Sequence, residues 1–307
     1  MTKKLFKIDE TDAEVRIDTY LSDMLESYSR TKIQELIKSK NVLVNGKPCK
    51  PSLTVHIDDE IICDITDLET PILPENIDIQ VVWEDENFAI VNKPSGMLTH
   101  PTSKDKTGTL VNALMFKYGD NLSDLNGDFR KGIVHRLDRY TSGLLIIAKN
   151  NDAHEKIAKM IKDREIEKRY RTIVKGRLTE NVIINEPIGR SKTNPNKMCV
   201  TPDGKPSLTE VSLIEQFDDA TYLDVNLKTG RTHQIRVHLS HINHPVFNDT
   251  LYGFGKMKIK TDEQVLQSYK IKFINPFNNQ LVEAEIEPDE KLTKVLNYLR
   301  QKGNNNE

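Results

Sequence analysis

The stretch that decides the fold is GIVHRLDRYTSGLLIIAK, residues 132–149, in which a polar segment runs directly into a short apolar strand. A carboxylate on a loop that a rigid strand supports is a common position for a catalytic group, so Asp138 is the first candidate for chemistry. The Thr-Ser-Gly sequence at 141–143 supplies the turn that would orient it. The same pattern also fits a structural ion pair between Arg136 and Asp138, and this stretch alone leaves both interpretations open.

The motif HRLD, followed by two variable residues and TSGLL, resembles the signature of the RluA/RluD family of ribosomal large-subunit pseudouridine synthases. Further blocks resemble the family in the same order, namely NKPSG at 92–96, EKRY at 167–170 and TGRTHQIRVHL at 229–239. The resemblance runs from about residue 79 to residue 299. A second resemblance, to the S4 RNA-binding domain, covers about 15–65.

Together the two resemblances imply an α+β protein. The large domain is expected to hold a mixed, mainly antiparallel sheet with flanking helices, which is the pseudouridine synthase fold. A small α+β S4 domain is expected to precede it. The implied boundaries are an S4-like RNA-binding domain at 1–70, a linker at 71–78, a catalytic domain at 79–302 and a disordered tail at 303–307.

The resemblance implies that the chain converts uridine in RNA to pseudouridine, with no cofactor and no metal. That reaction breaks the bond from N1 to the ribose and joins C5 to the same sugar carbon, and it needs an ionised carboxylate. Asp138 matches the catalytic aspartate of the family, Arg236 the arginine that contacts it, and Tyr170 the tyrosine that stacks on the target base. Three routes stay open for the carboxylate, namely attack on C1′, addition to C6, or removal of the C2′ proton.

A uridine in folded RNA is out of reach while it is stacked, so the enzyme has to flip it out of the stack. Arg136 matches the family residue linked to this step. Arg231 and Lys93 are candidates for phosphate contacts, and His233 shares a predicted helix face with Arg236. In the S4-like segment, the basic residues expected to contact RNA are Arg30, Lys32, Lys38, Lys40 and Lys47.

The composition is that of a globular protein, with 37% apolar and 29% charged residues in a chain of 307. This length is enough for one large domain and a small one. The N-terminal lysines are followed by no apolar run, and no eighteen apolar residues stand together, so we predict neither a signal peptide nor a membrane span and expect a cytoplasmic protein. Cys49, Cys63 and Cys199 are widely spaced and form no CxxC pair, which predicts free thiols in a reducing compartment.

The formal net charge of −2 does not indicate a nucleic-acid partner, because small nucleic-acid-binding domains are usually basic. The distribution of charge is more informative. Within 30–50 the basic residues face only Glu35, and within 156–177 they again outnumber the acidic ones. Each patch could follow a phosphate backbone or be a solvated helix face. The expected partner is 23S rRNA or a precursor of the large ribosomal subunit, bound by a monomer, with no DNA and no membrane.

Periodicity predicts the elements in outline. Apolar residues recur at helical spacing over 17–28 and over 33–37, where Ser29 is a candidate N-cap, and Asn45-Gly46 predicts a hairpin turn. The remaining predictions are a strand pair at 55–57 and 61–62, a hairpin at 81–91, strands at 144–148 and 169–174, helices from about 152, at 232–242 and at 291–299, and an inserted loop at 191–206.

Two other functions fit parts of the sequence. His233, His238, His241 and His244 cluster as in a zinc-dependent hydrolase, but their spacing is poor and no HExxH accompanies them. A non-catalytic rRNA-binding or ribosome assembly protein could use the same two domains. The joint presence of Asp138, Tyr170 and Arg236 argues against it, because binding alone does not need that triad.

The sequence departs from the family pattern at one informative place. The segment VLQSYK at 265–270 lacks the histidine expected there in close relatives, which weakens any assignment of a particular target uridine. Helix 69 of 23S rRNA is the expected target.

Overall fold

The computed structural model describes residues 3–8, 13–25, 28, 30–65, 71–102, 105–194, 197–253, 259, 261 and 263–304. The chain divides into two compact units, Met1–Pro71 and Ile72–Glu307. Ser29, the candidate N-cap, and the last three residues of the predicted tail lie outside the described residues.

The N-terminal unit packs two short helices on a four-stranded antiparallel sheet. Its elements are β1 (Lys3–Lys7), α1 (Ile17–Met24), α2 (Arg30–Lys38), β2 (Val42–Val44), β3 (Lys47–Pro48) and β4 (Glu60–Asp64), with the strand order β1-β4-β2-β3. Asn45 and Gly46 both have positive φ, at 49° and 76°, which is the geometry of a two-residue type I′ hairpin turn. This hairpin was predicted and is confirmed.

The predicted strand pair at 55–57 and 61–62 is wrong. Ile61 and Ile62 lie in β4, which pairs with β1 and β2 instead. Val55 is fully buried, and its backbone bonds go to Glu14 and Val15. Because those donors and acceptors are already used, the segment cannot form a second hairpin with β4.

The C-terminal unit is built on a nine-stranded mixed sheet, in which β7 and β14 form the one parallel pair among the described strands. The strand order is β5-β6-β7-β14-β8-β13-β12-β9, and β15 pairs with β14. The elements, in chain order, are β5 (Gln80–Glu84), β6 (Phe88–Lys93), α3 (Leu110–Tyr118), β7 (Ser142–Ala148), α4 (Asn151–Asp163), β8 (Glu167–Lys175), β9 (Val182–Asn185), β10 (Ile188–Arg190), β11 (Met198–Val200), β12 (Leu208–Gln216), β13 (Ala220–Leu227), α5 (Gln234–His241), β14 (Leu266–Ile274), β15 (Leu281–Glu285) and α6 (Glu290–Asn304). The predicted α+β class with a mainly antiparallel sheet is confirmed.

Helices cover both faces of the sheet. One core includes residues of α3 and α5, among them Leu114 and Leu239. Two others include residues of α4, such as Ile157, and of α6, such as Val295. Every residue of β7 is buried, which explains why the strand after Asp138 reads as a continuous apolar run and not as an alternating one.

Two segments are more ordered than their sequences predict. The inserted loop at 191–206 contains β11, which pairs with β10 and packs Met198 and Val200 against Tyr252 and α5. The predicted linker at 71–78 has no regular structure, but Ile72 is buried in the core of the C-terminal unit. In both segments, single apolar residues among polar ones anchor the loop to a hydrophobic core. Single apolar residues do not produce the periodic pattern from which helices and strands are predicted.

Candidate active site

Asp138 lies on the loop before β7, and this loop is held by a tertiary hydrogen bond on one side of Asp138 and by a local turn on the other. The hydroxyl of Thr99 donates to the carbonyl of Leu137 at 2.8 Å, and the backbone N–H of Thr141 donates to the carbonyl of Asp138 at 3.1 Å. The Asp138 side chain is 18% exposed, so its carboxylate is sheltered but reachable. The loop therefore presents a carboxylate to a cavity.

Arg236, in α5, holds this carboxylate. Its Nη1 donates to Asp138 Oδ2 at 2.9 Å, while its Nε and Nη2 fork onto Asp249 at 2.7 and 2.9 Å. Burial by itself lowers the pKa of Arg236, but the hydrogen bonds and charges of Asp249 and Asp138 raise it above the usual value. Arg236 is therefore a permanent cation fixed between two carboxylates.

Asp249 is a site residue that the sequence analysis missed. Its side chain is fully buried, and its Oδ1 also accepts the backbone N–H groups of Leu251 and Tyr252 at 3.0 Å each. A buried carboxylate with this many donors is held in one orientation. Asp249 thus fixes the arginine that fixes Asp138. The sequence signal that could have identified Asp249 was its position in a polar turn shortly after the predicted α5.

Tyr252 and His233 complete the wall beside Arg236. The Tyr252 hydroxyl accepts the N–H of Met198 at 2.9 Å and contacts His233 Nδ1 at 2.8 Å, so its proton is placed to point at that nitrogen. Burial lowers the pKa of His233, against the opposing charge of Asp138. A neutral His233 then carries its proton on Nε2, which lies 3.9 Å from Asp138 Oδ2. Its φ of 57° is unusual for a residue with a side chain, and such backbone strain occurs most often at functional sites.

Tyr170, on β8, lies in the same pocket as Asp138 and is almost completely buried. Burial raises the pKa of its phenol, a hydrogen bond with Ser268 opposes this, and the charge of Asp138 raises it further. The phenol is therefore neutral near pH 7. The pocket has a volume of about 270 Å³, just below the usual range for small-ligand sites of roughly 300–1,000 Å³.

The other residues proposed from the sequence fall into two groups. Arg136 and Arg231 are exposed and line the pocket, where they can contact the phosphate groups of a bound ligand. The prediction that Lys93 contacts a phosphate is wrong. Its side chain is fully buried, and its Nζ donates to the carbonyls of Pro94, Met97 and Arg139 at 2.9, 2.9 and 3.2 Å. It joins two loops of the site and cannot reach a phosphate. Thr141, which also lines the pocket, has a buried hydroxyl with no hydrogen-bond partner in the described part of the chain.

In the N-terminal unit, Arg30 is organised by a buried carboxylate. Asp18 is fully buried and accepts bonds from Arg30 at 3.1 Å, Gln34 at 2.6 Å and twice from Arg16 at 3.0 and 2.9 Å. Lys32 pairs with Glu35 at 3.2 Å. Lys38, Lys40 and Lys47 are exposed.

His238, one of the four clustered histidines, is held by hydrogen bonds within the protein. Both ring nitrogens of His238 are bonded, to Thr209 at 2.8 Å and to the carbonyl of Glu186 at 2.9 Å. Among the described residues, no three His, Cys, Asp or Glu side chains are grouped so that they could hold a metal ion. No helix in the described ranges is both long enough and apolar enough to cross a membrane.

Comparisons with known proteins agree with this geometry. Residues 87–241 match the family described as RNA pseudouridylate synthase, and residues 15–61 match the S4 domain. The chain is 37% identical over 296 residues to an uncharacterized RNA pseudouridine synthase of Bacillus subtilis, covering 96% of this chain and 97% of that protein. It is 34% identical to ribosomal large subunit pseudouridine synthase D of Escherichia coli K12, covering 95% and 93%. The fold is similar to that of human RNA pseudouridylate synthase domain containing 1, with a TM-score of 0.56 and 24% identity over 74% of this chain and 96% of that one.

Proposed function

The chain belongs to the RNA pseudouridylate synthase family and is an RNA pseudouridine synthase, and we propose that it acts on large-subunit ribosomal RNA through Asp138, Tyr170 and Arg236. The observation that carries the assignment of residues is the bond from Arg236 Nη1 to Asp138 Oδ2, made by an arginine that Asp249 already holds. It keeps one carboxylate oriented in a pocket that Tyr170 shares.

Asp138 is the group that acts on the uridine. Its Oδ2 is occupied by Arg236, whereas no described residue bonds its Oδ1. Oδ1 is therefore the oxygen that meets the substrate, whether it attacks C1′, adds to C6 or removes the C2′ proton. Arg236 stabilises the carboxylate before the reaction, and it is positioned to stabilise it again when the pseudouridine leaves.

Tyr170 contacts the base as a neutral phenol. Its raised pKa means that it carries its proton at neutral pH, so it does not act as a standing phenolate base. It can stack on the uracil ring and relay a proton when the C5 hydrogen leaves. The buried position next to Ser268 fixes the ring for this contact.

Base flipping brings the uridine to this pocket. The cavity is small and charged side chains line it, so it suits one unstacked nucleotide and not a duplex. Arg136 is exposed at the pocket, two residues before Asp138, and its planar guanidinium can fill the gap in the stack or fork onto a phosphate.

Large-subunit rRNA is the proposed substrate because relatives with near full-length similarity are named as ribosomal large subunit pseudouridine synthases, and because the chain matches an S4 domain. Helix 69 of 23S rRNA is the proposed site. The test is to map pseudouridines in rRNA from cells with the gene, without it, and with an Asp138→Asn copy. We expect a loss at one or a few large-subunit positions that only the wild-type copy restores. Unchanged rRNA together with lost pseudouridines in tRNA would contradict the proposed substrate.

The exposed lysines of the N-terminal unit are expected to bind phosphates. Replacing Lys38, Lys40 and Lys47 together by glutamine should flatten the dependence of log affinity on log salt concentration by roughly 0.7 to 0.9 for each phosphate that is no longer neutralised. Filter binding of the full chain to a 23S rRNA fragment across a salt series measures the slope. If the slope stayed at the wild-type value, these lysines would form only a solvated surface.

RNA binding by the N-terminal unit could depend on its general positive charge or on an oriented Arg30. Replacement of Asp18 tests this, because the two explanations predict opposite changes in RNA affinity. Asp18→Asn makes the protein more basic, so non-specific attraction predicts tighter RNA binding, whereas loss of the carboxylate that orients Arg30 predicts weaker binding. We expect about a tenfold loss of affinity, equivalent to ~1.4 kcal/mol. Asp23→Asn is the matched control, because Asp23 is exposed on the same helix and its change adds the same charge. Circular dichroism checks that both variants are folded.

A further inference from the structure

Lys168 is a buried lysine on the wall of the catalytic pocket that the reaction described above does not use. It lies on β8, two residues before Tyr170, and its side chain points to the same face of the sheet. The residue is only 7% exposed. Burial lowers the pKa of its ammonium group.

Among the described residues, no anion pairs with this charge. Within the described ranges, no ion pair or hydrogen bond involves the Lys168 ammonium. The two carboxylates near the pocket, Asp138 and Asp249, are both held by Arg236. His135, which lies beside Lys168, is neutral, because burial lowers its pKa to about 3, and its Nε2 accepts the N–H of Ile146 at 3.0 Å.

Among the described residues, the one fully buried side-chain nitrogen or oxygen without a partner is Thr141 Oγ1, so the Lys168 nitrogen, on a buried stem, is accessible from the pocket. A partly desolvated charge that has no protein partner is one that a ligand in the pocket can pair with. The ligand that fits must be an anion, and it must enter the pocket together with the uridine. RNA carries one such anion on every nucleotide. Asp138 and Tyr170 are assigned to the uracil base. The part of the pocket that Lys168 lines is therefore left for the phosphate backbone of the same RNA strand.

We propose that Lys168 binds a phosphodiester group of the RNA strand next to the flipped uridine. The proposal rests on the proposed function, because it requires an RNA nucleotide in this pocket. Lys168 then binds the strand and does not touch the reacting atoms. In the free protein no described residue bonds the Lys168 nitrogen, and the phosphate supplies a partner of opposite charge when the RNA binds.

The proposal predicts opposite effects of Lys168→Gln on stability and on RNA binding. Because no described residue bonds the Lys168 nitrogen, this change should leave the melting temperature unchanged or raise it. The same change should raise KM and Kd for an rRNA fragment that the wild type modifies by about 10- to 100-fold, the range for removing a hydrogen bond to a charged group. It should change kcat much less, and it should flatten the salt dependence of binding by roughly 0.7 for one phosphate on a single strand.

Lys117→Gln is the matched control, since Lys117 is exposed on α3, outside the pocket and outside both basic patches, and its loss removes the same charge. This variant should match the wild type in melting temperature, KM and salt slope. Lys168→Arg keeps the positive charge, and it should recover part of the lost affinity.

Two results would overturn the proposal. One is a Lys168→Gln variant whose Kd and salt slope equal those of Lys117→Gln. The other is a lower melting temperature with equal losses in kcat and affinity, which would make Lys168 a structural residue. Filter binding measures Kd without turnover, so it tests Lys168 even if the fragment is not modified. Failure of the wild type and of Lys117→Gln to form pseudouridine in any rRNA would instead contradict the proposed substrate.

Discussion

Asp138→Asn is expected to abolish pseudouridine formation, with a loss of several orders of magnitude in rate and little change in the fold. Asparagine keeps the shape of the side chain but removes the charge and the nucleophilic oxygen. Arg236 keeps its fork to Asp249, so the buried guanidinium retains its main partner and the melting temperature should stay close to that of the wild type. Affinity for RNA should also persist, since other residues are proposed to bind the RNA backbone.

Tritium release from RNA labelled at uridine C5 measures this loss. Asp120→Asn is the control, because Asp120 is exposed after α3, outside the pocket, and undergoes the same change of charge. A remaining rate within about tenfold of the wild type would correspond to only ~1.4 kcal/mol of barrier. The reacting carboxylate would then have to be a different residue.

Arg236→Lys is expected to have the second largest effect, although it conserves the charge. A lysine ammonium cannot form the fork to Asp249 and reach Asp138 at the same time, because it lacks the planar donor geometry of guanidinium. The Asp138 carboxylate then loses its orientation, and misplacement of a reacting group by about 1 Å costs roughly a hundredfold in rate. We therefore expect kcat to fall at least that far, with a much smaller change in RNA affinity.

The matched control is Arg300→Lys, which breaks a similar fork from Arg300 to Glu215 on the protein surface. Surface pairs of this kind contribute little, about 0–1 kcal/mol, so this variant should retain activity and stability. The Arg236→Lys variant should also melt at a lower temperature, because Asp249 stays buried with a poorer partner. Equal losses in kcat and in RNA affinity would show that Arg236 serves binding and not the geometry of Asp138.

Local patterns predicted much of what positions the site. The apolar run at 144–148, the helical spacing at 232–242 and the Asn45-Gly46 turn depend on neighbouring residues, and the structure contains the corresponding strand, helix and hairpin. The ordered motifs placed Asp138, Tyr170 and Arg236 in one family pattern. The structure brings these three together around one pocket, although Asp138 and Arg236 are 98 positions apart in the sequence.

The partners of charged groups were decided only by the tertiary structure. Asp249 had no motif, yet it is the buried counterion that fixes Arg236. Lys93 matched a family block and was expected to bind phosphate, but three backbone carbonyls surround its ammonium. Lys168 lay in another block, and nothing in its neighbours indicated a lysine on a buried stem with no counterion among the described residues.

The physical reason is the range of the interactions involved. Helices, turns and apolar strands arise from contacts between residues a few positions apart, so the sequence by itself determined them, and through the motifs it predicted which residues carry the reaction. The burial of a charge and the choice of its partner depend on which distant segments the folded sheet and its loops bring together. Only the tertiary structure therefore decided that Asp249 holds Arg236, that Lys93 joins two loops, and that Lys168 stays in the pocket with no counterion among the described residues.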